Sequence, residues 1–183
     1  IYYMPSVIKA SKLGDAAILK ELIKILAENK IEVINSNYFN PELTLKKGNY
    51  TARKPSIDDI KDIKKGINFL NKQRPYNHIQ AVVVRNKKII KKETSKGTKQ
   101  MIDQIDKIKK AKGVLIKFPK KKQDIRADLP TIGFNTLVDC NKANLKGIVL
   151  KAKENIFLDQ NKSIKYANKN KIFIYVIWKK YLL

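Results

Sequence analysis

Two carboxylates and several cations stand close together in residues 117–133, which read KFPKKKQDIRADLPTIG. Asp124 and Asp128 are four residues apart, with Arg126 between them and lysines upstream. An acid can hold a metal ion or orient a water molecule, while cations can hold a phosphate group. The segment is therefore a candidate for metal-assisted phosphoryl chemistry. Spacing alone leaves one alternative open, a solvated basic loop in which both acids pair with Arg126.

The elements on either side determine where these side chains lie. The apolar residues 113–116 predict a buried strand, and a helix is predicted from about Asn135. Pro119 and Pro130 bracket the segment and restrict its backbone, together with the residues before them. Loops that follow buried strands are where α/β proteins tend to place chemistry. We therefore expect both acids to lie at the end of a strand.

The same stretch resembles a long and unusual motif, K-x-P-K-P-G-Q-D-x-R-x-D-L-P-T-I-G. It matches that motif at Lys117, Pro119, Lys120, Gln123, Asp124, Arg126 and 128–133. The motif is the signature of the LpxI family of UDP-2,3-diacylglucosamine pyrophosphatases, and weaker similarity extends from Gly14 to about Ile177. The resemblance implies metal-assisted hydrolysis of a UDP-linked diacyl-glucosamine to UMP and the lipid monosaccharide phosphate during lipid A biosynthesis. It also implies that water attacks the phosphorus on the sugar side.

The resemblance gives individual side chains their expected roles. We expect Asp128 to position the metal ion or the water, and Asp124 to be the second acid of the site. Both are the expected ligands of Mg²⁺, a hard cation that prefers carboxylate oxygens and commonly bridges phosphates. The residues expected to bind the substrate are Lys117, Lys120, Gln123, Arg126, Thr131, Gly97 and Thr98.

A second motif departs from the family pattern. The sequence ETSKGTK begins at Glu93 where the family has approximately E-x-x-E-G-T-D, so Gly97 and Thr98 also match. Lys96 and Lys99 replace two acids of the pattern. A glycine–threonine turn that opens a helix can still bind phosphate through its N–H groups, and two lysines suit an anion. The replacements favour the alternative function, a non-enzymatic basic module that binds anionic lipid or nucleic acid.

The composition indicates a globular chain with an unusual excess of lysine. With 183 residues, 43% of them hydrophobic, the chain can bury one good core. Its formal net charge is +24, but only four of its 40 basic residues are arginine. Nucleic-acid sites favour arginine forks and stacking aromatics, and neither is clustered here, so we expect no nucleic-acid partner. We interpret the lysine excess as mostly compositional, with some attraction to anionic lipid surfaces.

The compartment and the partners follow from the cysteine content and the resemblance. The single cysteine, Cys140, excludes an internal disulfide, which is consistent with a reducing compartment. No stretch reaches the ~20 apolar residues that a membrane span needs. We therefore expect a cytoplasmic protein, peripheral to the inner membrane of a Gram-negative bacterium. Its expected partners are the UDP-linked diacyl-glucosamine, the lipid phosphate product and the inner-membrane surface, and a homodimer is left open.

The alternation of β-branched runs with capped helices predicts an α/β fold: a single compact domain with a mixed β-sheet and flanking helices. Asp15 is the predicted N-cap of a helix that ends near Asn29, and Ser56 with Asp59 predicts a capping box on the next helix. Further helices are predicted at 99–111, 134–144 and 163–170. Sheet strands are predicted near residues 31–34, 79–84, 89–93, 113–118, 148–151 and 172–177. Residues 85–88 can turn the second of these strands back into the third, which predicts a hairpin.

The predicted catalytic and lipid-phosphate-binding domain covers residues 14–178. Residues 1–13 are expected to be a connector or a remnant of a further N-terminal domain, which in the family contacts the nucleotide. Residues 179–183 are expected to form a tail. His78, the single histidine, stands at the entrance of a predicted strand. A lone histidine cannot build a metal site, and a catalytic role for it is the minor alternative.

Overall fold

Eight strands are found in the computed structural model, which describes residues 2–73, 78–106, 112–120 and 123–178; the predicted tail at 179–183 lies outside them. The strands are β1 Gly48–Asn49, β2 Ala81–Arg85, β3 Lys88–Lys92, β4 Gly113–Lys117, β5 Thr131–Ile132, β6 Leu145–Lys151, β7 Ile156–Phe157 and β8 Phe173–Ile177. The helices of the same residues are α1 Met4–Ser11, α2 Asp15–Glu28, α3 Ile57–Asn71, α4 Gly97–Asp103, α5 Phe134–Lys142 and α6 Gln160–Lys169, with short 3₁₀ helices at Ser36–Tyr38 and Pro41–Leu43.

The directions of the strands decide which of their ends meet. Six strands form one sheet in the order β1-β8-β6-β4-β2-β3, and β5 pairs with β7 in a second, two-stranded sheet. Strands β4, β6 and β8 are parallel, so their carboxyl ends lie together at what we call the carboxyl edge. Strand β2 is antiparallel to β4, and the pairing of Ala81 with Lys117 brings the start of β2 to that edge. The loops that follow the three parallel strands therefore converge there.

The sheet is covered on both faces, because side chains alternate along its strands between two apolar clusters. Leu115 of β4 lies in the cluster that includes Ile102 of α4, Leu137 of α5 and Ala167 of α6. Ile116, the next residue, lies in the other cluster, which packs against α3. Helices on both sides of a mixed sheet confirm the predicted α/β fold.

Two local predictions are confirmed. Ser56 caps α3: the Asp59 N–H donates to the Ser56 hydroxyl over 3.2 Å, and the Ser56 N–H donates to the Asp59 carboxylate over 3.0 Å. Strands β2 and β3 form the predicted hairpin, whose turn residues Asn86 and Lys87 have φ angles of 50° and 60°. Positive φ at both turn positions suits the twist of a two-residue hairpin.

The predicted strand at 31–34 is wrong. These residues have no regular structure, and the Ile31 N–H instead donates to the Leu26 carbonyl over 2.9 Å, which closes the end of α2. Lys30, with a φ of 61°, supplies the left-handed residue that such a helix ending uses. A short apolar run can serve a helix cap as well as a strand, and only a sheet partner distinguishes the two. The outermost strand of the sheet, which pairs with β8, is instead β1.

The predicted N-cap of α2 is displaced by one residue. Gly14, and not Asp15, is the N-cap, and its φ of 96° belongs to the region that favours glycine. Asp15 is the first residue of the helix, where an acid interacts favourably with the positive end of the helix dipole. The prediction therefore identified the start of the helix correctly but assigned the cap to the wrong side chain.

Other helix boundaries also differ from the prediction. Helix α4 ends at Asp103, whereas the prediction extended it to residue 111. Residues 107–111 lie outside the described residues. Helix α6 begins at Gln160, three residues before the prediction. Within the described ranges, no helix is long and apolar enough to cross a bilayer.

Candidate active site at the carboxyl edge

The motif at 117–133 leaves the sheet at its carboxyl edge. Lys117 is the last residue of β4, and the loop after it ends in β5, which pairs with β7. The Phe118 N–H donates to the Gln80 carbonyl over 2.9 Å, which fastens the start of the loop to the segment before β2. The motif therefore follows a buried central strand, as predicted.

Lys117 is buried beneath the loop and does not extend into solvent. Because side chains alternate along β4, its last residue faces the layer of α4 and α5, and Lys117 is only 7% exposed. Its Nζ donates to the Thr131 carbonyl over 2.9 Å. Burial lowers the pKa of the Lys117 ammonium, while the neighbouring Glu93, Cys140 and Asp128 oppose that shift. The side chain thus joins β4 to β5 and lies among the acids of the edge.

Glu93 follows β3 and is buried at the same edge. One carboxylate oxygen accepts the Gln80 N–H over 3.0 Å, and the other accepts the Thr98 hydroxyl. The N–H of Gly97, whose φ is 85°, donates to the Thr94 carbonyl over 3.1 Å. Glu93 therefore holds the glycine–threonine turn against the start of β2, and the two motifs meet. It is not among the site residues predicted from the sequence, although its match to the second motif is a signal that could have found it.

Asp124 and Arg126 form a two-pronged ion pair on the loop. Arg126 Nε donates to one Asp124 oxygen over 3.0 Å and Nη2 donates to the other over 2.7 Å, while the Arg126 N–H adds a bond of 3.0 Å. These hydrogen bonds lower the pKa of Asp124 and raise that of Arg126. Of the two acids in the motif, Asp124 is the one that Arg126 engages.

Asp128 keeps a carboxylate free of such pairing. Its N–H donates to the Asp124 carbonyl over 3.0 Å, which closes a turn over residues 124–128. No hydrogen bond or ion pair of its side chain is found in the part of the chain that the structure describes. The residue is half-buried and close enough to Lys117 to influence that residue's pKa. The two acids therefore do not both pair with Arg126: Asp124 does, and Asp128 remains available to a metal ion or a water molecule.

Gln123 serves the backbone of the loop. Its side-chain carbonyl accepts the Lys120 N–H over 2.8 Å, and its own N–H donates to the Lys120 carbonyl over 3.1 Å. These two bonds join residue 123 to residue 120; residues 121–122 lie outside the described residues. Lys120 is half-buried and Arg126 is exposed, so these two cations of the loop are more accessible to a ligand than Lys117.

The carboxylates of the site suit a metal ion that is bound in part by its substrate. The described residues contain no group of three or more histidine, cysteine, aspartate or glutamate side chains that could hold a metal ion. Mg²⁺ is usually bound through one or two carboxylates, with substrate phosphates and water as its other ligands. Asp128 fits that pattern as a single protein ligand, whereas Asp124 would first have to release Arg126.

The residues that depart from the second motif lie at the surface of α4. Lys99 forms an ion pair with Asp103 over 3.0 Å, one helical turn later, and this hydrogen bond raises the pKa of Lys99. Lys96 is exposed and precedes the helix as its N-cap. His78 is exposed, and its ring lies beside Gly14 at the start of α2. Lys117 and Glu93 are thus buried residues of the site, whereas Lys96, Lys99 and His78 are exposed.

Comparisons with known proteins point to one family. The profile of the LpxI C-terminal domain matches residues 46–175, which contain both motifs. The UDP-2,3-diacylglucosamine pyrophosphatase LpxI of Caulobacter vibrioides is 28% identical over 179 residues, which cover 93% of this chain and 64% of the relative. The chain therefore spans slightly less than two thirds of that relative's length.

Proposed function

The chain belongs to the LpxI family, and from this premise we propose that it acts in the hydrolysis of the diphosphate of UDP-2,3-diacylglucosamine. The products are UMP and 2,3-diacylglucosamine 1-phosphate, in a step of lipid A biosynthesis. The name of the Caulobacter relative, a UDP-2,3-diacylglucosamine pyrophosphatase, supports this substrate. The observation that carries the proposal is the carboxylate of Asp128 at the carboxyl edge, which lies near buried Lys117 and has no hydrogen bond or ion pair among the described residues. The proposed location is cytoplasmic and peripheral to the inner membrane.

The proposed chemistry requires a positioned water and cations that neutralise charge on the phosphate oxygens. The water oxygen forms a bond to the phosphorus on the sugar side, and the bond from that phosphorus to the bridging oxygen breaks. The electron pair of the broken bond leaves with UMP, and the proton that the water loses passes to the solvent. Asp128 accepts a hydrogen bond from the water and so orients its oxygen toward the phosphorus.

The cations of the loop are the proposed contacts of the diphosphate. Arg126 uses Nε and Nη2 on Asp124, and its Nη1 remains a donor for an anion. Asp124 in this arrangement holds the guanidinium in place. Lys120 is the second proposed contact, while Lys117 and Glu93 position the backbone beneath the loop through their hydrogen bonds.

Mg²⁺ is the proposed cofactor. When bound, the ion neutralises charge on the diphosphate oxygens. Asp128 would hold it, and Asp124 would become a ligand only after releasing Arg126. Release of UMP from UDP-2,3-diacylglucosamine should therefore require Mg²⁺ and stop when a chelator removes it. Equal release with the chelator present would contradict the metal requirement.

The substrate is proposed to be shared between this domain and other residues. Residues 14–178 would hold the lipid-phosphate half, and the nucleotide would be contacted outside them. The 183-residue chain should then bind 2,3-diacylglucosamine 1-phosphate more tightly than UMP. Titration calorimetry with each compound measures the difference. UMP binding as tight as that of the lipid phosphate would contradict this division.

The departure at Lys96 and Lys99 supports a second candidate, a basic module that binds anionic lipid without hydrolysis. The two functions predict different results for the same purified chain. The enzyme releases UMP, whereas the binding module retains the lipid phosphate and releases none. A nucleic-acid binder would instead bind with an affinity that falls steeply as salt is added.

A further inference from the structure

Large apolar side chains are exposed around the carboxyl edge. They lie in the segment after α2, in the central loop and directly after β8, and we call them the aromatic rim: Ile34, Tyr38, Phe39, Ile125 and Trp178. Their exposed fractions are 45%, 80%, 67%, 36% and 37%, in that order. Single exposed apolar residues are ordinary, but a contiguous patch beside a candidate site indicates a binding surface.

Hydrogen bonds hold the parts of the rim together. The Asn35 side-chain amide donates to the Ile125 carbonyl over 2.9 Å, and that of Asn37 donates to the Lys153 carbonyl over 3.3 Å. The Lys153 Nζ in turn lies 6.0 Å from the centroid of the Trp178 ring. The segment after α2 is thus fastened to the loop after β4 and to the turn after β6. The rim therefore lies on the same edge as the candidate active site.

We propose that the aromatic rim docks the protein on an anionic lipid bilayer, with Lys153 at the level of the headgroups. Tryptophan and tyrosine are favoured at this interface because their rings are apolar and carry a polar tip. Tyr38 and Phe39 form an edge-to-face pair with ring centroids 5.2 Å apart, and both remain largely exposed. Transfer of these rings from water into the headgroup layer lowers the free energy, because apolar surface leaves water. Folding leaves both rings exposed, so this free energy is still available to membrane binding.

The charges beside the rim favour an anionic bilayer over other occupants. Lys153 is adjacent to the Trp178 ring, so cationic and aromatic contacts occur together, as they do where proteins meet anionic lipid. The nearby Glu154 is paired with Lys151 and does not cancel the charge of Lys153. A second copy of the chain carries the same net charge of +24 and is repelled.

The docking surface rests on the proposed function in one respect. With the rim on the bilayer, the carboxyl edge faces the lipid layer in which a two-chain substrate is held. Binding to the bilayer itself does not require hydrolysis. Vesicles that contain no UDP-linked lipid therefore test the surface alone, and a failure of UMP release leaves the result of that test unchanged.

Trp178 makes the test specific, because it is the only tryptophan of the chain. We would add the purified chain to vesicles of phosphatidylglycerol mixed with phosphatidylcholine, and record tryptophan emission and its quenching by acrylamide. The emission should shift to shorter wavelength and the quenching should weaken. Vesicles of phosphatidylcholine alone should give a smaller response, because they lack the anionic headgroups.

A double variant in the rim and a matched control variant distinguish binding through the rim from nonspecific adsorption to the vesicles. Tyr38→Ser combined with Phe39→Ser removes two exposed rings and keeps Trp178 as the reporter. Ile57→Ser is the control, because Ile57 is also 80% exposed but lies at the start of α3, away from the rim. The double variant should bind the anionic vesicles about tenfold or more weakly, since two rings no longer leave water. The control should bind as the unmodified chain does, and circular dichroism should show both variants folded.

Three results would each overturn the proposal. Vesicle binding without a shift in Trp178 emission would place the contact on lysines elsewhere. Equal binding by the double variant and the unmodified chain would show that the two rings do not contribute. A shift that grows with protein concentration in the absence of lipid would identify a second copy of the chain as the occupant of the rim.

Discussion

Replacement of Asp128 by asparagine should leave stability nearly unchanged. The side chain makes no hydrogen bond or ion pair within the described ranges, so Asp128→Asn removes a charge without breaking a side-chain contact. The backbone bond from Asp128 to the Asp124 carbonyl, at 3.0 Å, is kept. Changes of this kind alter the free energy of unfolding by about 0.5 kcal/mol or less. In a chain of 183 residues, that corresponds to a shift in Tm of about 1–2 °C.

The rate should respond much more strongly than the stability. A side chain that takes part in proton transfer or orients the attacking water typically contributes about 10²–10⁴-fold, which is about 3–5 kcal/mol of transition-state stabilisation. Release of UMP by Asp128→Asn should fall by a factor in this range. The affinity for the lipid phosphate product should change little, because the group acts mainly in the transition state. Chromatographic measurement of UMP and thermal unfolding of the same preparation give both quantities.

A second acid provides the control for this experiment. Asp103→Asn makes the same chemical change at an exposed acid, whose partner Lys99 lies 3.0 Å away on α4. Exposed pairs contribute little, so both the rate and the Tm of this variant should stay close to those of the unmodified chain. Turnover of Asp128→Asn within a few-fold of the unmodified chain would refute the catalytic assignment. An unmodified chain that releases no UMP with Mg²⁺ present would refute the proposed activity itself.

Asp124→Ala removes the two-pronged contact with Arg126 and should lower the free energy of unfolding by about 0.5–1 kcal/mol at neutral pH. The pairing lowers the folded-state pKa of Asp124, so this stability is present above the unfolded pKa of ~3.9 and is lost as pH falls through the folded pKa. The difference in Tm between the unmodified chain and Asp124→Ala should therefore disappear in acid. Lys117→Met should abolish a rise in stability at high pH. Burial lowers the folded pKa of Lys117 below the unfolded value of ~10.4, so the unmodified chain gains stability as pH rises from the folded to the unfolded pKa. Tm measured at about pH 8 and about pH 10 should show this gain in the unmodified chain and not in Lys117→Met. Ser56→Ala should cost about 1 kcal/mol and ~2–4 °C in Tm through loss of the α3 cap, whereas the exposed Ser95→Ala should cost nothing measurable.

The elements that could be predicted from the sequence are those whose signals are local. The capping box of Ser56 and Asp59 depends on side chains three residues apart, and the hairpin turn depends on adjacent residues. Strands β1 and β5 have only two residues each and exist through partners far along the chain, as in the pairing of Gly48 with Val176. Two residues cannot show a periodicity, so neither strand could be predicted.

The role of Lys117 shows why a motif alone does not specify a site. The sequence places Lys117 first in a group of lysines, which suggests a phosphate contact. The structure makes it the last residue of β4 on the face toward α5, where it is buried and bound to the Thr131 carbonyl. The face on which a strand residue lies depends on register, and a shift of one residue would have turned the ammonium to the other side. Neither the register nor the end of the strand is encoded in the motif.

The two acids of the motif are alike in the sequence and become different in the fold. The bond from the Asp128 N–H to the Asp124 carbonyl closes a turn, within which the Arg126 guanidinium lies against Asp124. A guanidinium fork engages one carboxylate, so Asp128 is left without it. No bond from the Lys117 ammonium to Asp128 is found either, and that ammonium donates to the Thr131 carbonyl. A half-buried acid that has no side-chain hydrogen bond or ion pair within the described residues is suited to attract a metal ion or a water molecule. The proposed role of Asp128 therefore depends on how its neighbours are paired as much as on its place in the motif.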